Sequence, residues 1–287
     1  MDEPVHTITP SDGPVEGGAR RPATVVLLAG PGDTTDIVAN FLSDLLATSA
    51  HGDGPPPRLE VIVEEAPSRS RMARRRAERV GWITVIGQIL LVVLVLPGLR
   101  RRGRQRIDDI VATAGLSTAA AAGCHRVASI NDPATVELIR SLDPTVVVVN
   151  GTRIIAGAVL DAISCPVINT HAGITPRYRG VHGGYWALAE GRRDLVGTTV
   201  HLVDPGIDTG GVLARAYFTP EPHDTIATLA YLHLVAGLPL LGAEVTAVLN
   251  GKKPSPLVED IPPDGSRLYL HPTVWGYLYR RIVRNVR

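Results

Sequence analysis

An α/β fold with a mostly parallel sheet, covered on both faces, is predicted by three features of the 287-residue chain. Strand-like runs alternate with segments of helical apolar spacing. Several of those runs, such as "TVVVVN" at 145–150, are continuously apolar rather than alternating, which suits strands buried on both sides. Polar residues (Asn150, Asn169, His171) fall where such strands would end, and in open parallel sheets ligands bind beyond the carboxyl ends of strands.

The elements follow in order. "ATVVLLAGPGD" reads as a buried strand and a glycine turn, and residues 35–46 place Ile37, Val38, Phe41, Leu42 and Leu45 at helical spacing. "GDGPPP" is a loop and "RLEVIVEE" a second strand. After an insert over 69–106, a helix is expected around 107–114. "CHRVASI" is the next strand, and Asp132 as N-cap with Pro133 in the first helical position opens a helix through Val136, Ile139 and Leu142. The strand at 145–150 leads to a turn and short helix in "GTRIIAGAVLDAI", and "PVINTH" is a further strand. "GTTVHLVD" alternates as a strand, "PGIDTGG" is a tight turn, and "VLARAYF" is its antiparallel partner. Residues 223–250 are expected to be helical, and the Pro-rich, aromatic and basic end reads as a peripheral arm. The expected organisation is a disordered tail over 1–22, a catalytic domain over 23–220 and a helical, Pro-rich extension over 221–287.

The formal net charge of +1 conceals an uneven distribution. Eleven arginines and a single acid, Glu78, lie between Arg69 and Arg106, which leaves 18 basic against 27 acidic residues elsewhere. An acidic body argues against a nucleic-acid partner. Cys124 and Cys165 make no metal or disulfide pattern and read as reduced, core or near-core residues. The opening residues lack an apolar signal segment, so a cytoplasmic location is expected. The insert contains "GWITVIGQILLVVLVLPGL", 81–99, long enough to cross a membrane. It lies between strands of what should be one sheet and is flanked by arginines on both sides, so it is not expected to span. Two readings stay open: a buried helix that widens the core or a homodimer contact, and a peripheral membrane contact through 69–106 at the inner membrane surface.

"LLAGPGD" invites a dinucleotide-binding reading, but Gly30 and Gly32 lack a third glycine, and Asp33 would repel a pyrophosphate. Asn169 and His171 carry more. Side chains alternate along a strand, so the two project from one face, and a carboxamide beside an imidazole can bind an oxyanion and move protons. Asp208 in "DPGIDTGG" can orient or charge the histidine. With no serine or cysteine nucleophile motif present, direct acyl transfer to an amine fits better than a covalent intermediate.

The combination of N-x-H, "PRYRG" and "GTTVHLVDPGIDTGG" resembles the folate-dependent formyltransferase family, over roughly residues 23–218. The resemblance implies a Rossmann-like domain that takes a formyl group from 10-formyltetrahydrofolate, with Asn169, His171 and Asp208 as its catalytic residues. It places the folate against Gly151, Thr152, Arg153, Ile154, Ile155 and Leu160, and against the loop carrying Asp204 and Gly206. Tyr178, Arg179, Gly180, Tyr185 and Trp186 follow the catalytic strand and are the expected acceptor side, where an aromatic can stack on a sugar and Arg179 pair with phosphate. No metal is expected. The stretch after Phe218 is not strand-patterned like the barrel of the family's tRNA enzymes, and Asp33 stands where its ribonucleotide enzymes keep a phosphate-friendly turn. An amino sugar or another small amine is therefore the expected acceptor. Hydrolysis of formyltetrahydrofolate and folate binding without turnover, in a membrane-associated module, are the alternatives.

Overall fold

The computed structural model describes residues 22–48, 55–121, 123–258, 261 and 265–286. The tail expected over 1–22 thus lies, apart from Pro22, outside the described residues. The chain opens with β1 (Thr24–Ala29), whose side chains are all buried, then α1 (Asp33–Thr48) and β2 (Arg58–Glu64). The insert follows as α2 (Arg69–Val80), α3 (Trp82–Leu90), a π-type segment at Leu91–Val95, and α4 (Leu96–Arg102), and leads into α5 (Arg104–Thr113). Next come β3 (His125–Val127), α6 (Pro133–Ser141), β4 (Val146–Asn150), α7 (Gly157–Leu160) and β5 (Val167–His171). The remainder is β6 (Tyr178–Gly180), α8 (Gly183–Ala189), β7 (Gly197–Leu202), β8 (Val212–Tyr217), α9 (Ile226–Leu249), β9 (Arg267–Tyr269) and α10 (Val274–Val283).

Seven strands form one sheet in the order β3-β2-β1-β4-β5-β7-β8. Its first five strands run parallel, and β7 and β8 add antiparallel. One face is covered by α1, α5 and α9 through Leu42, Ile110, Leu238 and Val245, and the other by Ile130, Ile139 of α6 and Val159 of α7. Coverage on both sides is why β1 and β4 read as unbroken Val/Leu runs. The C-terminal region is helical as expected, but α9 is no appendage. Its Leu234, Leu238, Leu241 and Val245 belong to the sheet's core cluster. Thr225 caps it by accepting from Ala227 N, while Thr228 accepts from Thr225 N. A bidentate Arg106–Asp224 pair at 3.1 and 3.2 Å ties α5 to the start of α9.

Residues 82–102 form one continuous helical stretch in which only Val85, Gly87, Gln88, Leu91 and Leu99 are buried. Both its ends attach to the same body, α2 through the cleft described below and α5 against α9. Cys165 is half-buried, with its thiol pushed up to about 11 by burial. Cys124 departs from its expected near-core place: it is exposed, because β3 is a three-residue strand at the sheet edge.

Burial holds three imidazoles neutral. His182 and His233 are pushed down to about 3 and His271 to about 4, with the positive charges of Arg100 at His182 and Arg76 at His271 adding to the effect. The unfolded chain protonates these rings near 6.5, so below that pH it binds more protons than the folded state. Their stabilising contribution is therefore full above about 6.5 and is lost as pH falls through the window down to about 3–4. Thermal melts are expected to show Tm dropping from about pH 6.5 downward, well before carboxylates titrate at about 4. A Tm that is flat until pH 5 would contradict this.

Candidate active site

β5 ends at the carboxyl edge of the sheet, and the alternation of its side chains sets Asn169 and His171 on one face. Asn169 is paired in register with His201 of the antiparallel β7. His201 Nδ1 lies 2.7 Å from the Leu202 carbonyl, so that nitrogen carries the proton. Its Nε2 is then an acceptor, and it faces the Asn169 amide nitrogen at 3.0 Å. This fixes the carboxamide: one N–H is held by His201 and the second is left for a ligand. Burial lowers the His201 pKa, and the positive charge His171 would carry lowers it further, which agrees with a neutral ring.

His171 is almost fully buried. Its Nε2 donates to the Tyr178 carbonyl at 2.7 Å, which leaves Nδ1 facing Asp208 Oδ2 at 3.5 Å. A proton on Nδ1 would be shared with that carboxylate. Asp208 sits in a turn with φ of 51°, a conformation that Asp tolerates better than most residues. Its Oδ2 accepts from Gly180 N at 2.8 Å, and its Oδ1 lies 3.7 Å from His201 Nε2. Gly180 is required there twice over: its φ is 92°, and a Cβ would come within 2.2 Å of the Tyr269 carbonyl. Asp204 Oδ1 shapes the same loop by accepting from Gly206 N and Thr209 Oγ1.

These groups line a cleft of about 1150 Å³ at the strand ends. Gly151, Thr152, Arg153, Ile154 and Ile155 form one wall, and Asp204 and Gly206 another. Ile154 is exposed in the cleft, whereas Ile155 belongs to the core beneath it. Leu160 does not line the cleft but packs against the core cluster beneath α6 and α7. The expected acceptor residues also divide. Gly180 lines the cleft, but Tyr178 and Tyr185 are fully buried, since Tyr178 stacks on Tyr269 and its hydroxyl donates to Glu190, while Tyr185 packs on Tyr277. Trp186 stacks on Tyr269 and donates to the Leu270 carbonyl, and Arg179 braces Ser266 and the Ile207 carbonyl. Met72, Arg75 and Arg76 of α2 and Leu268–Leu270 also line the cleft.

Two residues escaped the sequence reading. His201 is one; its signal is a histidine in an alternating strand next to the N-x-H strand. The other is Glu64, the buried last residue of β2, which accepts from Arg153 N at 2.5 Å and Ile130 N at 3.2 Å and pairs with the Arg153 guanidinium at 2.5 Å. A carboxylate closing a parallel strand is a legible signal in hindsight.

The Formyl transferase family model matches residues 73–233, which include Asn169, His171, His201 and Asp208 but not Glu64. The chain belongs to the formyl transferase family. A methionyl-tRNA formyltransferase from Trichlorobacter lovleyi is 30% identical over 146 residues, 50% of this chain and 45% of that protein. The match thus spans less than half the relative's length. Among solved structures, glycinamide ribonucleotide transformylase 1 from Symbiobacterium toebii superposes with a TM-score of 0.51 at 19% identity, covering 83% of this chain and 92% of that one. A sugar N-formyltransferase from a Shewanella species gives a TM-score of 0.50 at 12% identity, over 84% and 75%. At these identities the likeness is one of fold. In this chain that fold brings the Asn169 carboxamide, the His171 imidazole and the Asp208 carboxylate together at the carboxyl edge of the sheet. Among the described residues no group of three or more His, Cys, Asp or Glu is placed to hold a metal ion.

Proposed function

We propose that this formyl transferase moves a formyl group from 10-formyltetrahydrofolate to the amine of a small molecule, an amino sugar being the favoured class. The observation that carries the reading is the joined set Asn169–His201 and His171–Asp208 at the base of one cleft. The cleft also fits the donor. The exposed Ile154 offers an apolar flank, and the 151–155 segment supplies backbone groups able to read a pteridine edge. The donor, when bound, supplies the activated formyl carbon.

The free N–H of Asn169 binds the oxygen on which negative charge develops as an unprotonated amine attacks that carbon. His171 and Asp208 share a proton at Nδ1 and supply or take it as the amine loses its own and the leaving nitrogen gains one. His201 holds the carboxamide in register. Asp33 supports an acceptor other than a glycinamide ribonucleotide: it opens α1 and accepts from the Tyr231 hydroxyl, so the helix N-terminus already faces a carboxylate. Arg75 and Arg76 put positive charge on the acceptor side, which suits a phosphate-bearing amino sugar.

The test is a panel of amines, nucleotide-linked amino sugars and methionyl-tRNA included, incubated with 10-formyltetrahydrofolate and read by mass spectrometry for the gain of one formyl group. A formylated small amine is the expected result. Formylation of the tRNA alone would move the acceptor class, rapid formate release without any amine would favour the hydrolase, and folate binding with no turnover on any acceptor would favour a binding module.

A further inference from the structure

We propose that α3, the π-type segment and α10 together form a face that seats this protein on an anionic membrane surface. The proposal goes beyond the assignment of acceptor and donor and is independent of it. The first observation is that the helix over 82–95 is turned inside out for a protein in water. Ile83, Ile86, Leu90, Val93 and Leu94 recur at helical spacing and point outward, Ile83 being 77% exposed. The opposite side buries Val85, Leu91 and, with them, the polar Gln88, whose amide donates to the His271 carbonyl at 2.9 Å. A polar side chain faces in while a branched apolar stripe faces out.

A second helix extends the stripe. In α10, Trp275, Leu278, Tyr279, Ile282 and Val283 are exposed at the same spacing, Ile282 at 79%, while Tyr277 is buried. The Trp275 indole lies over Gly87 of α3 so closely that a Cβ there would come within 2.4 Å of it. The two stripes are thus neighbours on touching helices and make one apolar plate, larger than scattered exposed residues would give. Trp82, Trp275 and Tyr279 add aromatic rings of the kind enriched at membrane–water interfaces.

Charge selects the occupant. Exposed arginines stand before the apolar run, at Arg74, Arg75 and Arg79, and after it, at Arg100, Arg101 and Arg102. A second copy docked through this helix would set arginines against arginines whether the helices ran parallel or antiparallel. Anionic headgroups instead meet both clusters with opposite charge while the stripe enters the acyl boundary. Crossing the bilayer is not the alternative, since both ends of the 82–102 stretch attach to one body. Seated this way, the protein keeps its cleft close to the surface: Met72, Arg75 and Arg76 of α2 and Leu268–Leu270 line the cleft and lead directly into α3 and α10.

The experiment is flotation of the full chain with vesicles of phosphatidylglycerol and phosphatidylcholine, or of phosphatidylcholine alone. Flotation with the anionic vesicles, reduced at least tenfold on neutral ones or in high salt, is expected. A triple variant, Ile83→Glu, Val93→Glu and Ile282→Glu, changes only exposed positions and should keep the parent circular dichroism and Tm while losing flotation. A second variant, Arg100→Glu with Arg101→Glu and Arg102→Glu, should lose the preference for anionic lipid. The proposal is overturned if neither vesicle type binds the parent chain, if the folded triple variant floats like the parent, or if neutral vesicles bind it equally well. It is also overturned if sedimentation shows a dimer that the triple variant splits while the parent does not float, since a second copy then covers the face. Formyl transfer to a soluble amine is measured on the same samples, so loss of the enzymatic reading and loss of this one are separable.

Discussion

Alanine at Asn169, His171 or Asp208 is expected to lower kcat for formyl transfer by ~10² to 10³ while the protein stays folded. The size follows from what each side chain does when charge develops. Asn169 is the only one of the three with an N–H left over after its internal bond to His201, so its removal deletes the oxyanion donor outright. His171 and Asp208 act through one shared proton position, and their losses should not add: the double variant should be little worse than the poorer single one. Asp208→Asn is the informative conservative change. It can still accept from Gly180 N and hold the loop, but it removes the charge facing His171 and His201, so kcat should fall with little change in Tm. Circular dichroism, melting and single-turnover rates check each variant. A folded His171→Ala protein with near-normal turnover would remove the mechanism.

Glu64→Ala should act on the donor side and on stability together. Glu64 is buried, and it gathers Arg153 N, Ile130 N and the Arg153 guanidinium onto one carboxylate, clamping the 151–155 segment to the end of β2. Removing the carboxylate leaves the backbone N–H groups of Arg153 and Ile130 without their acceptor, at a cost of about 3 kcal/mol, or a Tm lowered by roughly 6–12 °C in a chain of this size. The folate KM should rise several-fold while kcat changes little, because Asn169, His171 and Asp208 do not touch Glu64. Glu64→Gln, which keeps hydrogen-bonding capacity without charge, should recover part of the KM. An unchanged folate KM in a destabilised Glu64→Ala protein would confine the residue to a structural role.

The parallel strands, the N-x-H pair and the turn that carries Asp208 were legible because each rests on local rules. Continuous Val runs demand coverage on both faces, alternation puts Asn169 and His171 together, and Gly-rich turns announce strand ends. The acceptor side was less legible. Tyr178, Tyr185 and Trp186 are close in sequence to His171, but nearness along the chain does not decide which way a ring points. Here the small β6–β9 pair and α8 draw those aromatics into their own packing around Tyr269 and Tyr277. Proximity in three dimensions brings the distant α2 arginines to the cleft instead.

Periodicity and turn chemistry act over a few residues, so the sheet, the order of its strands' patterns and the chemical types gathered at its edge could all be read along the chain. Long-range packing, by contrast, places α9 in the core, sets His201 against the Asn169 carboxamide and turns the apolar stripe of 82–95 outward. An apolar helix has the same composition whether its stripe is buried or exposed. Which side meets the body depends on partners far away in the chain, here His271 for Gln88 and Trp275 for Gly87, and no local pattern encodes them.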